Sequence, residues 1–189
     1  MPLPHFSNIK TATSLEEVVF PNLYEVNIVL PKSITDAGSV SDDYQNILLE
    51  NCTNAKFPTY PTIETAMQRF KYSTRLYMKM PTSTSVEDLG LSFNVNQTDK
   101  KVISTFKIIK TWYDQVWNNE DGSLHYKRNI TGEIIVFAHD KEGHVIRKVV
   151  YHNAQIKGFT GWEELAWESN DIVKLGATFA SDYWEDFYY

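Results

Sequence analysis

Residues Ala154 to Trp184 read AQIKGFTGWEELAWESNDIVKLGATFASDYW. Near the end of this stretch Val173, Leu175, Ala177 and Phe179 are apolar, while the intervening Lys174, Gly176 and Thr178 are not. A period of two predicts a β-strand with one buried face. Upstream, Trp162, Leu165 and Trp167 sit among Glu163, Glu164, Glu168, Asn170 and Asp171. Acids and indoles mixed this closely predict an irregular turn region that its tryptophans pin to the core. No nucleophile stands beside a base anywhere in the stretch, so it reads as architecture rather than chemistry.

Working outward, the same alternation recurs. Tyr24, Val26, Ile28 and Leu30 share one face of a strand that Pro21-Asn22 opens and Pro31 closes. Leu89, Leu91, Phe93 and Val95 alternate with Gly90, Ser92, Asn94 and Asn96. Tyr72, Thr74, Leu76, Met78 and Met80 alternate with Lys71, Ser73, Arg75, Tyr77 and Lys79, predicting an amphipathic strand with a cationic outer face. Gly132–Ala138 and Val145–Tyr151 are β-branched runs joined by the turn Asp140-Lys141-Glu142-Gly143, and Gln155–Phe159 is a possible continuation of the sheet. Ile47–Asn51 is a short apolar strand candidate, and Lys32–Asn46 reads as an exposed loop. Pro58 and Pro61 break any ladder near Phe57 and Tyr60, aromatics that either pack inward or mark a contact surface.

One helix stands out. Val102, Ile103, Phe106, Ile109, Tyr113, Val116 and Trp117 recur at helical steps, with Thr98 or Asp99 as N-cap and Asn118, Asn119 and Gly122 ending it. The expected fold class is therefore mainly β: a two-sheet antiparallel β-sandwich or barrel with one flanking α-helix over about residues 98–118. A single domain over residues 1–189 is expected, with a flexible arm over 1–18 and a C-terminal tail over 186–189.

Composition limits the chemistry. A net charge of −6 and scattered lysine pairs argue against gripping a phosphate backbone. Aromatics at 14% must fill a core, an interface or both. The single cysteine, Cys52, lacks a cationic flank and reads as a small buried residue. MPLPHFSNIK lacks the pattern of a signal peptide and apolar runs are short, so folding in a cytosol is expected, with no membrane span. His139, Asp140, Glu142 and His144, with His152 nearby, are types that bind divalent metals, but a polar hairpin tip is their commoner home. Glu163-Glu164 and Asp182 with Glu185-Asp186 could pair for glycosidase-type work only if they converged in a cleft. No G-x-S-x-G, P-loop or G-x-G-x-x-G occurs. No cofactor, no metal and no catalytic step is expected.

The order of these motifs resembles the tail tube protein of contractile-tailed bacteriophages. Pro21-Asn22-Leu23-Tyr24-Glu25-Val26 is similar to that family's opening strand, and Thr111-Trp112-Tyr113-Asp114-Gln115 to its helix. Ile156-Lys157-Gly158-Phe159, Trp162-Glu163-Glu164-Leu165, Trp167-Glu168-Ser169-Asn170 and Phe179–Glu185 follow it in order and spacing, so the likeness runs from about Pro21 to Glu185. Lys32–Asn46 is longer than usual and Asp186–Tyr189 is extra. The resemblance implies a structural virion protein that self-assembles into stacked hexameric rings, forming a conduit for DNA ejection. It implies assembly in the host cytoplasm and a final place in the virion tail. Its partners would be itself, the sheath, a tape measure protein, and baseplate and tail-terminator proteins, with DNA passing without specific binding. On this reading Phe57, Pro58, Tyr60 and Phe70 make ring-to-ring contacts, together with the N-terminal arm. Ser92, Asn94, Asn96, Lys174 and Thr178 line the lumen, and the helix lysines on the outer face meet the sheath. Phe106, Trp112, Trp162, Trp167, Phe179 and Trp184 anchor the core. A tube from a bacterial contractile injection or type VI secretion machine would share this fold. A ligand-binding β-barrel or carbohydrate-active enzyme would instead show a dry apolar pocket or converging carboxylates.

Overall fold

The computed structural model describes residues 22–38, 40, 43–60, 63–79, 87–95, 105–160 and 173–189. Its elements run β1 (Tyr24–Val29), α1 (Lys32–Thr35), α2 (Tyr44–Asn51), β2 (Cys52–Ala55), β3 (Thr65–Phe70), β4 (Ser73–Met78), β5 (Leu89–Asn94) and α3 (Thr105–Val116). They continue with α4 (Lys127–Ile130), β6 (Gly132–His139), β7 (Val145–Thr160), β8 (Lys174–Ala180) and β9 (Tyr183–Tyr188). Every strand pair is antiparallel. β1, β6, the first half of β7 and β9 form one sheet; the second half of β7, β8, β5 and β2 form the other; β3 and β4 pair only with each other. The fold is thus mainly β with antiparallel sheets, as expected.

One strand serves both sheets, and its sequence explains how. In the first half of β7 the inward residues are Val149 and Tyr151; in the second they are Ala154 and Ile156. An unbroken period of two cannot bury both pairs, because odd and even positions point to opposite faces. An extra residue restores the phase. Gly132 of β6 pairs with Ala154 while Ile134 pairs with Tyr151, so His152 and Asn153 bulge against the single Glu133. Asn153 takes φ +52, the left-handed region that Asn tolerates better than most residues. This bulge is the corner where a strand switches sheets. The β8–β9 connection turns the same corner, and Asp182 braces both. Its backbone N–H donates to the His152 carbonyl at 3.1 Å, its carboxylate accepts from Asn153 Nδ2 at 3.0 Å, and Lys127 pairs with it at 2.5 Å.

The core lies between the sheets and α3. Ile28, Phe93, Ile134, Leu175 and Phe179 meet Ile108, Ile109 and Trp112 of α3, all essentially without solvent contact. Trp112 and Phe179 rings lie 5.1 Å apart, and Trp112 Nε1 donates to the Ile130 carbonyl at 2.9 Å, so the indole is buried with its one donor satisfied. A Cβ at Gly132 would sit 2.3 Å from the Val29 carbonyl oxygen and 3.2 Å from the Trp112 ring, so this strand start requires glycine. Phe106 packs on Phe159 and Trp184 is half-buried, whereas Trp162 and Trp167 lie outside the described residues. So do the arm over 1–18, Asn96, and the cap and first turn assigned to residues 98–104.

Several expectations give way. Ile47–Asn51 is helix, not strand: Tyr44, Leu48 and Asn51 are buried at four- and three-residue steps, and so short an apolar run fits either structure. The loop assigned to 32–46 contains α1 and the start of α2. Val145–Tyr151 and Gln155–Phe159 belong to one strand. Residues 186–188, read as a tail, are the second half of β9. The strand around Leu76 and Met78 forms but buries neither face.

Replacing Asn153 by Val, which resists the left-handed region, is expected to cost about 1–2 kcal/mol, whereas Asn153→Gly should stay closer to the parent chain. Chemical denaturation of the two variants checks this; equal stability would mean that the corner does not rest on that backbone conformation.

Candidate assembly surface

The described residues assigned to a lumen do meet on one face. In the register of β5 and β8, Gly90 pairs with Thr178, Ser92 with Gly176 and Asn94 with Lys174. Cross-strand partners point the same way, so Ser92, Asn94, Lys174 and Thr178 share the face opposite Leu91, Phe93, Leu175 and Ala177. Gly158 and Thr160 of β7 and Asn54 of β2 extend it. The result is a shallow hollow of about 600 Å³, paved by Gly90, Gly158 and Gly176. Lys174 shares the face but does not line the hollow; the cation that does, Lys56, is paired with Glu87 at 2.6 Å.

Among the described residues, the sheet carrying this face has an unpaired strand edge on each side. Among the described residues β2 pairs only with β5, and the second half of β7 only with β8. Unpaired edges of this kind are templates for a neighbouring chain.

The expected contact aromatics divide between two settings. Phe70 lies exposed on the β3–β4 hairpin, a ribbon exposed at every residue except Ala66. Phe57, Pro58 and Tyr60 lie at its base, where a polar knot fastens the segment to the body. Arg147 on β7 and Asp186 on β9 form a two-point pair at 3.1 and 2.7 Å. The guanidinium lies 4.4 Å from the Phe57 ring centre and 5.3 Å from that of Tyr188. Tyr60 donates a short hydrogen bond to Asp186 and sets its ring edge-on against Trp184 at 5.1 Å. Burial alone would raise the Asp186 carboxyl, but hydrogen bonds from Arg147 and Tyr60 outweigh it and hold it below the usual carboxylate range. The same bond to Asp186 pushes the Tyr60 hydroxyl up.

The remaining chemical candidates are structural. Asp140 accepts from the Glu142 and His144 backbone N–H groups at 2.9 and 2.8 Å, closing its own turn, and those bonds hold its carboxyl low. His152 lies elsewhere, between Glu133 at 3.0 Å and Glu185 at 3.2 Å on opposite ring nitrogens. Among the described residues no group of three His, Cys, Asp or Glu is placed to hold a metal. Asp182, Glu185 and Asp186 each go to a different partner, Lys127, His152 and Arg147, and do not converge. Glu163 and Glu164 lie outside the described residues. Burial pushes the Cys52 thiol up to about 11, which leaves it unreactive at neutral pH.

Among solved structures, the chain is similar to a chain of the PVC sheath/tube terminator of an extracellular contractile injection system. The two are 12% identical over 92% of this chain and 99% of that one, with a TM-score of 0.57. A chain of the PVC sheath-tube complex matches at 13% identity over 98% and 99%, TM-score 0.55. A chain of the anti-feeding prophage baseplate matches at 8% over 92% and 97%, TM-score 0.55. No protein-family model and no curated protein matches the sequence. The chain shares the fold of these injection-system proteins.

Within that fold, sequence patterning placed the polar face but missed the Arg147–Asp186–Tyr188 knot. Its members are far apart in the chain, 39 residues in the case of Arg147 and Asp186, and each alone reads as a surface charge or a spare aromatic. Because the Asp186 carboxyl is held low, its stabilising contribution is complete above about pH 4, the unfolded value, and fades as pH falls through the folded one. Asp186→Asn should therefore cost about 1–3 kcal/mol at pH 7, with the gap to the parent chain closing below about pH 4. Melting temperatures across that range test it; a pH-independent gap would show that charge is not what ties the knot.

Proposed function

We propose that this chain is the tube subunit of a contractile machine: copies close side by side into hexameric rings, and the rings stack into a hollow conduit. The observation that carries this reading is the pair of edges, β2 and the second half of β7, that lie on opposite sides of one sheet and are unpaired among the described residues. Edges on opposite sides make a head-to-tail contact, and a head-to-tail contact that turns by a fixed angle closes a ring. Closure would pair both edges and turn the sheets of all copies into one barrel. The face with Ser92, Asn94, Lys174 and Thr178 then becomes the wall of the lumen. Small, mostly uncharged side chains suit a wall past which cargo must slide.

Within this class our reading is the inner tube of a contractile phage tail, a virion component through which DNA leaves, working with sheath, tape measure, baseplate and terminator proteins. It acts structurally, without a catalytic step. Ring-to-ring contacts would involve Phe57, Pro58, Tyr60 and Phe70. A second reading, the tube of a bacterial contractile injection machine, is favoured by the similar chains, which come from an extracellular injection system and the anti-feeding prophage.

Purified protein at high concentration is expected to form rings or rods in negative-stain micrographs. In a Cys52→Ser background, a cysteine at Asn54 combined in turn with one at Lys157, Gly158 or Thr160 should give, on oxidation, a ladder ending at the hexamer. A ladder that stops at the dimer, or a chain that stays monomeric at every concentration, would overturn the ring.

A further inference from the structure

The corner of β7 carries a histidine whose ring is engaged on both nitrogens. His152 stands beside Asn153 in the bulge, on the outward face of the β1–β6–β7–β9 sheet, and its side chain is only 23% exposed. Its Nδ1 lies 3.0 Å from the Glu133 carboxylate of β6, and its Nε2 lies 3.2 Å from the Glu185 carboxylate of β9. Tyr183, its cross-strand partner on β9, stacks on the ring at 4.6 Å with the planes 23° apart. One side chain of β7 thus joins the strands on either side of it, at the point where β7 leaves this sheet for the other.

The number of protons on the ring decides how well it does so. A neutral imidazole has one N–H and one lone pair, an imidazolium has two N–H groups, and an ionised carboxylate only accepts. Between two carboxylates the neutral ring makes one hydrogen bond and turns its lone pair on the other anion. The protonated ring makes both bonds, and both are charge-assisted. The other charges at the corner have different partners. Asp182 in the β8–β9 turn takes Lys127 of α4 and Asn153 on its carboxylate, and meets His152 only through its backbone N–H. Lys148, a cation on the same face, lies near the Phe137 and Phe187 rings at 5.9 and 5.7 Å.

We infer that His152 is a proton-operated clasp. With two protons on the ring, β6, β7 and β9 are tied together across the corner; when one leaves, the tie to one neighbour opens. β9 also carries Trp184 and Asp186, the residues that hold Tyr60. A loosened β9 therefore loosens the seat of the 57–60 segment with it. The clasp works within one copy and does not depend on the ring. Because the second bond exists only while the imidazole is protonated, its contribution is present on the acid side of the histidine range and fades as pH rises through about 6.5. It fades again below about pH 4.3, where Glu133 and Glu185 take up protons.

The test compares melting temperatures of the full chain and of His152→Gln between about pH 5.5 and about pH 8.5. Gln keeps a polar group at the corner but carries no charge at any pH. At the acid end the variant should melt about 2–4 °C lower than the parent, and the gap should fall to less than half of that at the alkaline end. Groups common to both chains, Asp186 among them, titrate alike and cancel in the difference. A second variant, Glu133→Gln with Glu185→Gln, leaves the ring in place, changes only half-exposed positions, and should show the same dependence. A gap that is equal at both ends of the range, or that widens as pH rises, would overturn the clasp and leave His152 an ordinary hydrogen-bonding residue of the bulge.

Discussion

Asn153 sets the geometry of the whole molecule. Because β7 buries Val149 and Tyr151 on one side of it and Ala154 and Ile156 on the other, the strand must gain a residue to keep its apolar side chains inward. A strand that shifts phase in this way turns into a second sheet. Asp182 then secures the corner from the β8–β9 turn with bonds to both His152 and Asn153. Everything that gives the surface its character follows from that bend. Sharing one strand leaves each sheet with an outer edge, and sends β9 back beside β7, where Asp186 meets Arg147 and fastens the base of the hairpin.

The regular parts of this design were legible before any coordinates. β1, β5 and β8 each bury one face cleanly, so alternation alone located them, and α3 revealed itself by the spacing of Phe106, Ile109 and Tyr113. The parts that were not legible share a cause. β7 looked like two strands because its phase shift is invisible to a test for strict period two. α2 looked like a strand because Ile47-Leu48-Leu49 is too short to distinguish helix from strand without the buried Tyr44 beside it. The second strand of the hairpin, β4, was found as strand and the first, β3, was not; the pattern of β4 predicted one buried face where none exists. Periodicity reports which residues prefer to leave water; it does not say whether the surface that receives them belongs to the same copy.

The polar face shows the same division. That Ser92 and Asn94 oppose the core, and that Lys174 and Thr178 do so too, follows from each strand read alone. That the two sets lie side by side depends on the pairing of β5 with β8, a long-range contact that no local pattern encodes. The contribution of Gly90, Gly158 and Gly176 was hidden for a related reason. Each is unremarkable in its own strand, and only the register gathers them into one hollow with Asn54 and Thr160.

The distribution of chemistry over the described surface fits the proposed assembly role. Asp182, Asp186 and Glu185 go to three separate partners, Lys127, Arg147 and His152, and burial pushes the Cys52 thiol up to about 11. Bulky apolar groups and unbalanced charge concentrate on the hairpin and on the outward face of the β1–β6–β7–β9 sheet, while the hollow between the open edges keeps small side chains and glycine. A protein that bound a small ligand would place its apolar area and its converging polar groups in the concavity and leave the projections bland. Here the order is reversed: the hollow is paved with glycine and small side chains, and the exposed apolar groups lie on the hairpin. That arrangement is what the proposed ring asks of its subunit: edges left for neighbours to pair with, and an inner wall that offers cargo little to hold.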